Sequence, residues 1–234
     1  ILFCDHHMSH AASAFFASPF DEAAVITVDG VGEWTTTTMG MARGTWDGSG
    51  ENAIDLFWEQ RFPHSIGLLY SVFTAFLGFH VNDGEYKVMG MAPYGEPTYV
   101  DEIRKLISIH DDGSFALNMD YFAYHHSASR SFNGKFTALF GEPRMHSDDF
   151  FTAKSAPHRA GETETVRRNQ HYADIARSIQ QVTEEALLAM ANALQRKTGA
   201  RKLVMAGGVA LNSVANFRLL SETPLEDVYI QPAA

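Results

Sequence analysis

The stretch that most restricts the fold lies near the C-terminal end, where "KLVMAGG" is followed by "ALNSVANFRLL" and then by "DVYIQP". The outer two runs read as strands and the middle one as a helix. Strands joined through a helix rather than a tight turn run parallel, in a right-handed crossover. The chain is therefore expected to be α/β, and its 234 residues are enough for a substantial apolar core.

Other elements fill in around this unit. "AAVITVDG" and "EWTTTTMGMARG" are two strand-like runs around Asp-Gly, a hairpin with a glycine-dependent turn. A third strand is expected over residues 53–60. Ser65 then caps a helix that ends near Gly78; its residues are apolar on nearly every side, so it should be buried. The segment "VNDGEYKVMGMAPYGEP" is dense in Gly and Pro and reads as a long surface loop. Residues 127–168 are polar and mixed, with scattered Gly and Pro, and read as a flexible or variable region. Beyond them Ile175, Ile179, Val182, Ala186, Met190 and Ala193 recur at helical spacing, and Lys197 and Gly199 close that helix. No internal repeat or low-complexity tract is visible.

Composition excludes some partners. Eighteen Lys and Arg against 28 Asp and Glu give a net charge of −10 without a visible basic patch, so nucleic acid is not an expected ligand. No apolar run approaches the roughly 20 residues that cross a bilayer, and the opening residues lack the features of a secretory signal. The single cysteine, Cys4, is read as buried packing in a reducing, cytoplasmic setting. The chain begins inside an apolar run, "ILFCD", without Met, and reads as a fragment.

Four constellations carry candidate chemistry. His6 and His10, four apart, share one face of a helix and can reach a single ion; two neutral nitrogens suit Zn(II) or Fe(II) better than Mg(II). The pair lacks a carboxylate, and a plain polar helix face is the competing reading. Asp29 ends a strand before Gly30 and Gly32, where a carboxylate projects from the sheet rim and backbone N–H groups can approach an anion, with Glu33 just beyond; an ordinary hairpin turn is the alternative. Lys87 stands among Gly78, Gly84, Gly90, Gly95 and Pro93, a point charge for a phosphate or carbonyl, or simply a surface lysine. Gly207 and Gly208 lead from a strand into a helix whose first turn holds Asn212, a nucleotide-type corner or a plain tight turn. The third glycine of the dinucleotide fingerprint is missing.

Taken in order, "HHMSHAASAFFASPF", "VDGVGEWTT", "PHSIGLLYSVFTAFLGF", "GEYKVMGMAPYG" and "AGGVALNSVAN" closely resemble successive motifs of the NodU/CmcH-type O-carbamoyltransferases, over almost the whole chain. The resemblance implies an N-terminal domain of the actin/Hsp70/sugar-kinase (RNase H-like) superfold, similar to the enzyme that transfers threonylcarbamoyl to tRNA. A YrdC-like C-terminal domain is a partner absent from this sequence. It further implies that carbamoyl phosphate and ATP form carbamoyl adenylate, whose carbamoyl group passes to a hydroxyl of a sugar, antibiotic or related acceptor. On that basis His6 and His10 hold a divalent metal, Fe(II) before Zn(II). Asp29 with Gly30 and Gly32 lines the catalytic cleft, Lys87 lies near the carbamoyl or phosphate group, and Gly207, Gly208 and Asn212 contact the adenylate. His7 is a candidate general base or a support behind the ligands, and Mg(II) belongs to the absent half.

The sequence departs from the family pattern at both ends. Strands before the histidine motif are missing, and so is a Gly-Asp-Ala-Gly motif beyond "IQPAA" that carries the family's third metal ligand. Residues 1–234 are thus read as a partial transferase domain, incomplete at both ends, that holds metal weakly and does not form the adenylate alone. The rivals are an ATP-dependent phosphotransferase of the same superfold and a non-catalytic nucleotide-binding fragment. The acidic balance argues against the tRNA-modifying relative.

Overall fold

The computed structural model describes residues 3–45 and 49–233. In chain order the elements are α1 (His6–Phe15), β1 (Glu22–Gly32), β2 (Thr35–Arg43), β3 (Ala53–Arg61), α2 (Ile66–Phe76), α3 (Glu85–Met91), α4 (Val100–Ile103), β4 (Ile107–Ile109), β5 (Phe115–Leu117), α5 (Gly134–Phe140), α6 (Thr163–Thr198), β6 (Lys202–Ala206), α7 (Ser213–Glu222) and β7 (Asp227–Ile230). They form two compact units. One comprises Ile1–Leu68, Ile109–Ala116 and Glu184–Ala234, and the other Leu69–Ser108 and Leu117–Thr183. Among the described residues no helix is long and apolar enough to cross a membrane.

The first unit contains a five-stranded mixed sheet in the order β3-β2-β1-β6-β7. β1, β2 and β3 form an antiparallel meander, while β6 lies parallel to β1 and β7 parallel to β6. The hairpin and the parallel C-terminal pair expected from the sequence are both present. Helix α1 lies on this sheet: Ala11, Ala14 and Phe15 pack with Phe20, Val25, Ala42, Val204 and Ala206 in one buried cluster. The small residues "HAASA" let the helix approach the strands closely. Glu184 of α6, almost fully buried, pairs with Arg218 of α7 at 2.7 Å.

The hairpin is irregular where it matters. Val28 pairs with Thr37 and Gly32 with Thr35, so Asp29, Gly30 and Val31 bulge opposite Thr36 alone. Such a bulge bends the strand and re-aims a side chain. Ser65, whose hydroxyl accepts from Leu68 N–H at 3.0 Å, caps α2 as expected and donates to the Gly30 carbonyl at 2.6 Å, clamping the bulge.

The second unit is built on phenylalanine. Phe73, Phe76, Phe122, Phe136 and Phe140 are fully buried, and Phe132 stacks on Phe136 with centroids 5.1 Å apart. The structure corrects one reading of this unit's sequence and refines two others. The "VNDGEYKVMGMAPYGEP" segment is not one long loop: it contains α3 and a 3-10 turn over Ala92–Tyr94. Glu85 accepts from the N–H groups of Asn82 and Gly84, satisfying donors at the helix start, and Val88 and Met91 are buried. Residues 127–168 are not uniformly loose, since α5 and the start of α6 fall within them. The stripe Phe132, Phe136 and Phe140, four apart, was hidden by the polar average around it. The long helix begins at Thr163, well before its first apolar repeat, because its early turns are polar; Asn169 there is buried and donates to the Asp149 and Phe151 carbonyls. In the first unit, Cys4 is exposed rather than buried, standing ahead of α1 and outside its packed stripe.

Candidate metal centre

Helical spacing places His6 and His10 one turn apart on α1, and the β1 bulge brings Asp29 to them. His6 Nε2 lies 2.8 Å and His10 Nε2 3.2 Å from Asp29 Oδ2, and the two imidazole nitrogens are 3.0 Å from each other. This is the one group of three candidate ligands found among the described residues. The donor set and spacing fit a metal. Ligand atoms held ~2.0–2.1 Å from one ion, at angles between octahedral and tetrahedral, stand about 2.8–3.4 Å apart. Two imidazoles and one carboxylate are also the donors of open, non-closed metal sites. The side chains are 40%, 21% and 23% exposed, so the cluster is open to a ligand.

Asp29 therefore does more than line a cleft: it supplies the carboxylate that the histidine pair lacked. Its two oxygens are divided. Oδ2 faces the histidines, while Oδ1 accepts from Gly30 N–H at 2.8 Å and, more weakly, from Gly208 N–H at 3.4 Å. The bond to His10, then that to His6 and those to the two backbone donors, hold the carboxyl well below the usual carboxylate range, against the opposing effect of burial. The carboxylate is ionised and ready to bind a cation.

His7 is corrected. It points to the other side of α1, into the sheet, and is almost fully buried. Its Nε2 lies 2.8 Å from the Thr35 carbonyl and its Nδ1 2.6 Å from the Thr27 hydroxyl, which is itself 2.6 Å from the Thr38 hydroxyl. A carbonyl only accepts, so Nε2 carries the proton and Nδ1 accepts from Thr27. Burial depresses the imidazole's pKa, favouring this neutral form. With both nitrogens engaged, His7 has no lone pair for a substrate proton; it fixes α1, and the ligands on either side of it, to the hairpin.

The glycines serve the triad mainly by leaving room. A Cβ on Gly32 would lie 2.0 Å from the His6 ring, and one on Gly67 2.5 Å from the Asp29 carbonyl. Gly207, at φ 95, has its Cα against the Val28 backbone, where a Cβ would come within 2.3 Å of the carbonyl oxygen. Asn212 is not in the first turn of α7. A 3-10 turn over Gly208–Leu211 intervenes, and Asn212 is the N-cap, its side-chain oxygen accepting from Ala215 N–H at 3.1 Å. Lys87 belongs to the second unit, where its ammonium packs over the Phe79 and Tyr86 rings at 5.9 and 5.6 Å. Sequence reasoning missed Thr27, Thr38, Ser65 and Gly67 as parts of the site. A hydroxyl within the otherwise apolar "AAVITV" was the available signal for the first.

Comparison with known proteins finds relatives over almost the whole chain. The chain is 50% identical over its full length to an uncharacterized protein of Synechocystis, of which it covers 34%. It is 30% identical, again over 100% of its length, to nodulation protein NolNO of Sinorhizobium fredii, covering 29% of that protein. With nodulation protein NolO of Bradyrhizobium diazoefficiens it shares 29% identity over 98% of this chain and 35% of the relative. The chain thus spans about a third of the length of the curated relatives it matches. A looser likeness, with TM-score 0.37 and 16% identity, extends over 98% of this chain and 34% of a crystal structure of T. kodakarensis HypF. The family described as Carbamoyltransferase N-terminus matches residues 1–234, and the chain belongs to it.

Proposed function

We propose that this chain is the acyl-transfer part of an O-carbamoyltransferase that moves a carbamoyl group from carbamoyl adenylate to a hydroxyl of a small-molecule or glycan acceptor. The observation that carries the reading is the convergence of His6, His10 and Asp29 on one point at the sheet rim. The family supplies the reaction class. The sheet, a three-stranded antiparallel meander continued by two parallel strands, supports placing the domain in the actin/Hsp70/sugar-kinase (RNase H-like) superfold.

In this reading His6, His10 and Asp29 hold a divalent ion, Fe(II) or Zn(II), which when bound supplies Lewis-acid polarisation of a carbonyl oxygen. The oxygen of the acceptor hydroxyl bonds to the carbamoyl carbon. The bond from that carbon to the phosphate oxygen breaks, AMP leaves as the anion, and the hydroxyl proton passes to water. AMP is a good leaving group, so no protonating side chain is required, consistent with the engagement of both His7 nitrogens. We place the nucleotide at the Gly207–Leu211 turn, because the Gly208 N–H couples that turn to Asp29. Formation of the adenylate from carbamoyl phosphate and ATP is assigned to a YrdC-like domain of the full-length protein.

The test uses the full-length protein supplied with Fe(II) or Zn(II), carbamoyl phosphate, ATP and a panel of hydroxylated acceptors. Release of pyrophosphate and AMP together with a carbamate ester detected by mass spectrometry is the expected result. Absence of both product and stoichiometric metal would overturn the reading.

A further inference from the structure

Large apolar side chains left in water occur singly or in pairs along the described residues, except at Leu211, Val214, Phe217 and Leu220, which follow one another at intervals of three. Isolated exposed apolar residues are ordinary, whereas a contiguous patch marks a contact surface. Leu211 ends the 3-10 turn and the other three lie on α7. At about 100° per residue, Phe217 is the centre of an arc of about 120° bounded by Val214 and Leu220, with Ser213 and Ser221 inside it. All five are exposed, Phe217 to 73%, while the opposite side of the helix is buried through Ala215 and Leu219. The arc carries no charge. Arg218 and Glu222 stand outside it and pair with each other at 2.6 Å, and Arg218 also pairs with Glu184 at 2.7 Å.

The pattern of this face fits a second copy of itself. Two chains that each carry a net charge of −10 repel where charged surfaces meet, and the arc is a neutral place for them to approach. In a two-fold contact the same patch serves both partners. Laying α7 antiparallel on itself about Phe217 brings the two Phe217 rings to the axis. Leu220 then stands beside Ser213 of the second copy, and Val214 beside Ser221 of the second copy, each pair level to within the rise of one residue, about 1.5 Å. Large side chains thus meet small ones in every layer, as helix packing requires. The Ser221 hydroxyl already donates to the Phe217 carbonyl at 3.0 Å, so covering it strands no donor. A different partner would impose no such symmetry on the helix.

We propose that the exposed face of α7 is a homodimer contact, an antiparallel helix pair with Phe217 at its two-fold axis. The arc offers on the order of 400 Å² per copy, about half the ~800 Å² per partner of a standard stable interface. The dimer is therefore weak, with a Kd in the micromolar range or above.

Sedimentation velocity of the full-length protein between about 1 and 500 µM should show a monomer giving way to a dimer. Phe217→Glu, which sets two carboxylates against each other at the axis, should weaken the dimer by about 10-fold or more with the far-ultraviolet circular dichroism unchanged. Cross-linking tests the geometry in a Cys4→Ser background. On oxidation, Phe217→Cys should give a disulfide-linked dimer, and so should Ser213→Cys combined with Leu220→Cys, two positions about 10 Å apart within one helix. Leu220→Cys alone should not, because its two copies stand about 9 Å apart along the axis and a disulfide needs Cβ atoms about 4 Å apart. At about 1 µM, where the protein is monomeric, the Phe217→Cys thiol should react freely with a maleimide, and protection should grow with concentration. A thiol protected at every concentration would show that another part of the full-length protein covers the face, and would overturn the proposal. So would a protein that stays monomeric up to about 500 µM, a dimer that Phe217→Glu leaves intact, or cross-linking through Leu220→Cys alone.

Discussion

Two glycines in segments that look alike in sequence, Gly32 and Gly90, are used in opposite ways. In the hairpin turn of the first unit, "DGVGEW", Gly32 is a contact surface: the His6 ring occupies the space its Cβ would need, at 2.0 Å. In "GEYKVMGMAPYG" of the second unit, Gly90 lies within helix α3 and a Cβ there would meet nothing within 4 Å. The first glycine is required by tertiary approach; the second is tolerated because α3 is held by its buried Val88 and Met91 and by Glu85 at its start. A glycine therefore signals function through what crowds it, and its density along the chain predicts neither a loop nor a site.

Substitutions can break or sharpen that contrast. The largest effect is expected from Asp29→Ala in the full-length protein, which removes a ligand: metal retained after dialysis should fall by well over the ~100-fold that an outer-sphere partner contributes. Unchanged metal content would show that the hairpin is not a metal cradle. Gly32→Ala should come next, weakening metal binding about 10- to 100-fold with the far-ultraviolet circular dichroism preserved, because the nearest atoms a Cβ would meet are those of the His6 ring. Thr27→Val leaves His7 Nδ1 buried without its donor and should lower stability by about 1.5 kcal/mol in urea unfolding. The pH profile of kcat should keep its shape in this variant, whereas a catalytic His7 would shift it. Gly90→Ala should have the smallest effect and the opposite sign, a gain of about 0.5–1 kcal/mol with metal affinity unchanged.

Much of the scaffold was legible because it rests on local periodicity. The runs of strand-forming residues in "AAVITV" and "TTTTMGM", the capping Ser65 and the repeat from Ile175 to Ala193 each act within one element. Where composition replaced spacing, the reading failed: averaging polarity over residues 127–168 concealed α5, whose Phe136 and Phe140 are core residues. The candidate site divides in the same way. His6 and His10 share a face by helix geometry alone, but the same spacing says nothing of where that face looks. Asp29 is 19 residues from His10, and its arrival depends on the bulge opposite Thr36 and on α1 packing against β1.

What the amino-acid order determined by itself was the strands of the mixed sheet, the helices with a clear apolar repeat and the one-turn stacking of two imidazoles, since each follows from backbone periods of about 2 and 3.6 residues. Only the tertiary structure decided which side chains meet: that Asp29 completes the pair, that His7 turns inward to Thr27, and that Trp34 is left facing water. Those outcomes depend on strand register and helix-to-sheet distance, which are set when distant segments pack together and have no counterpart in local spacing.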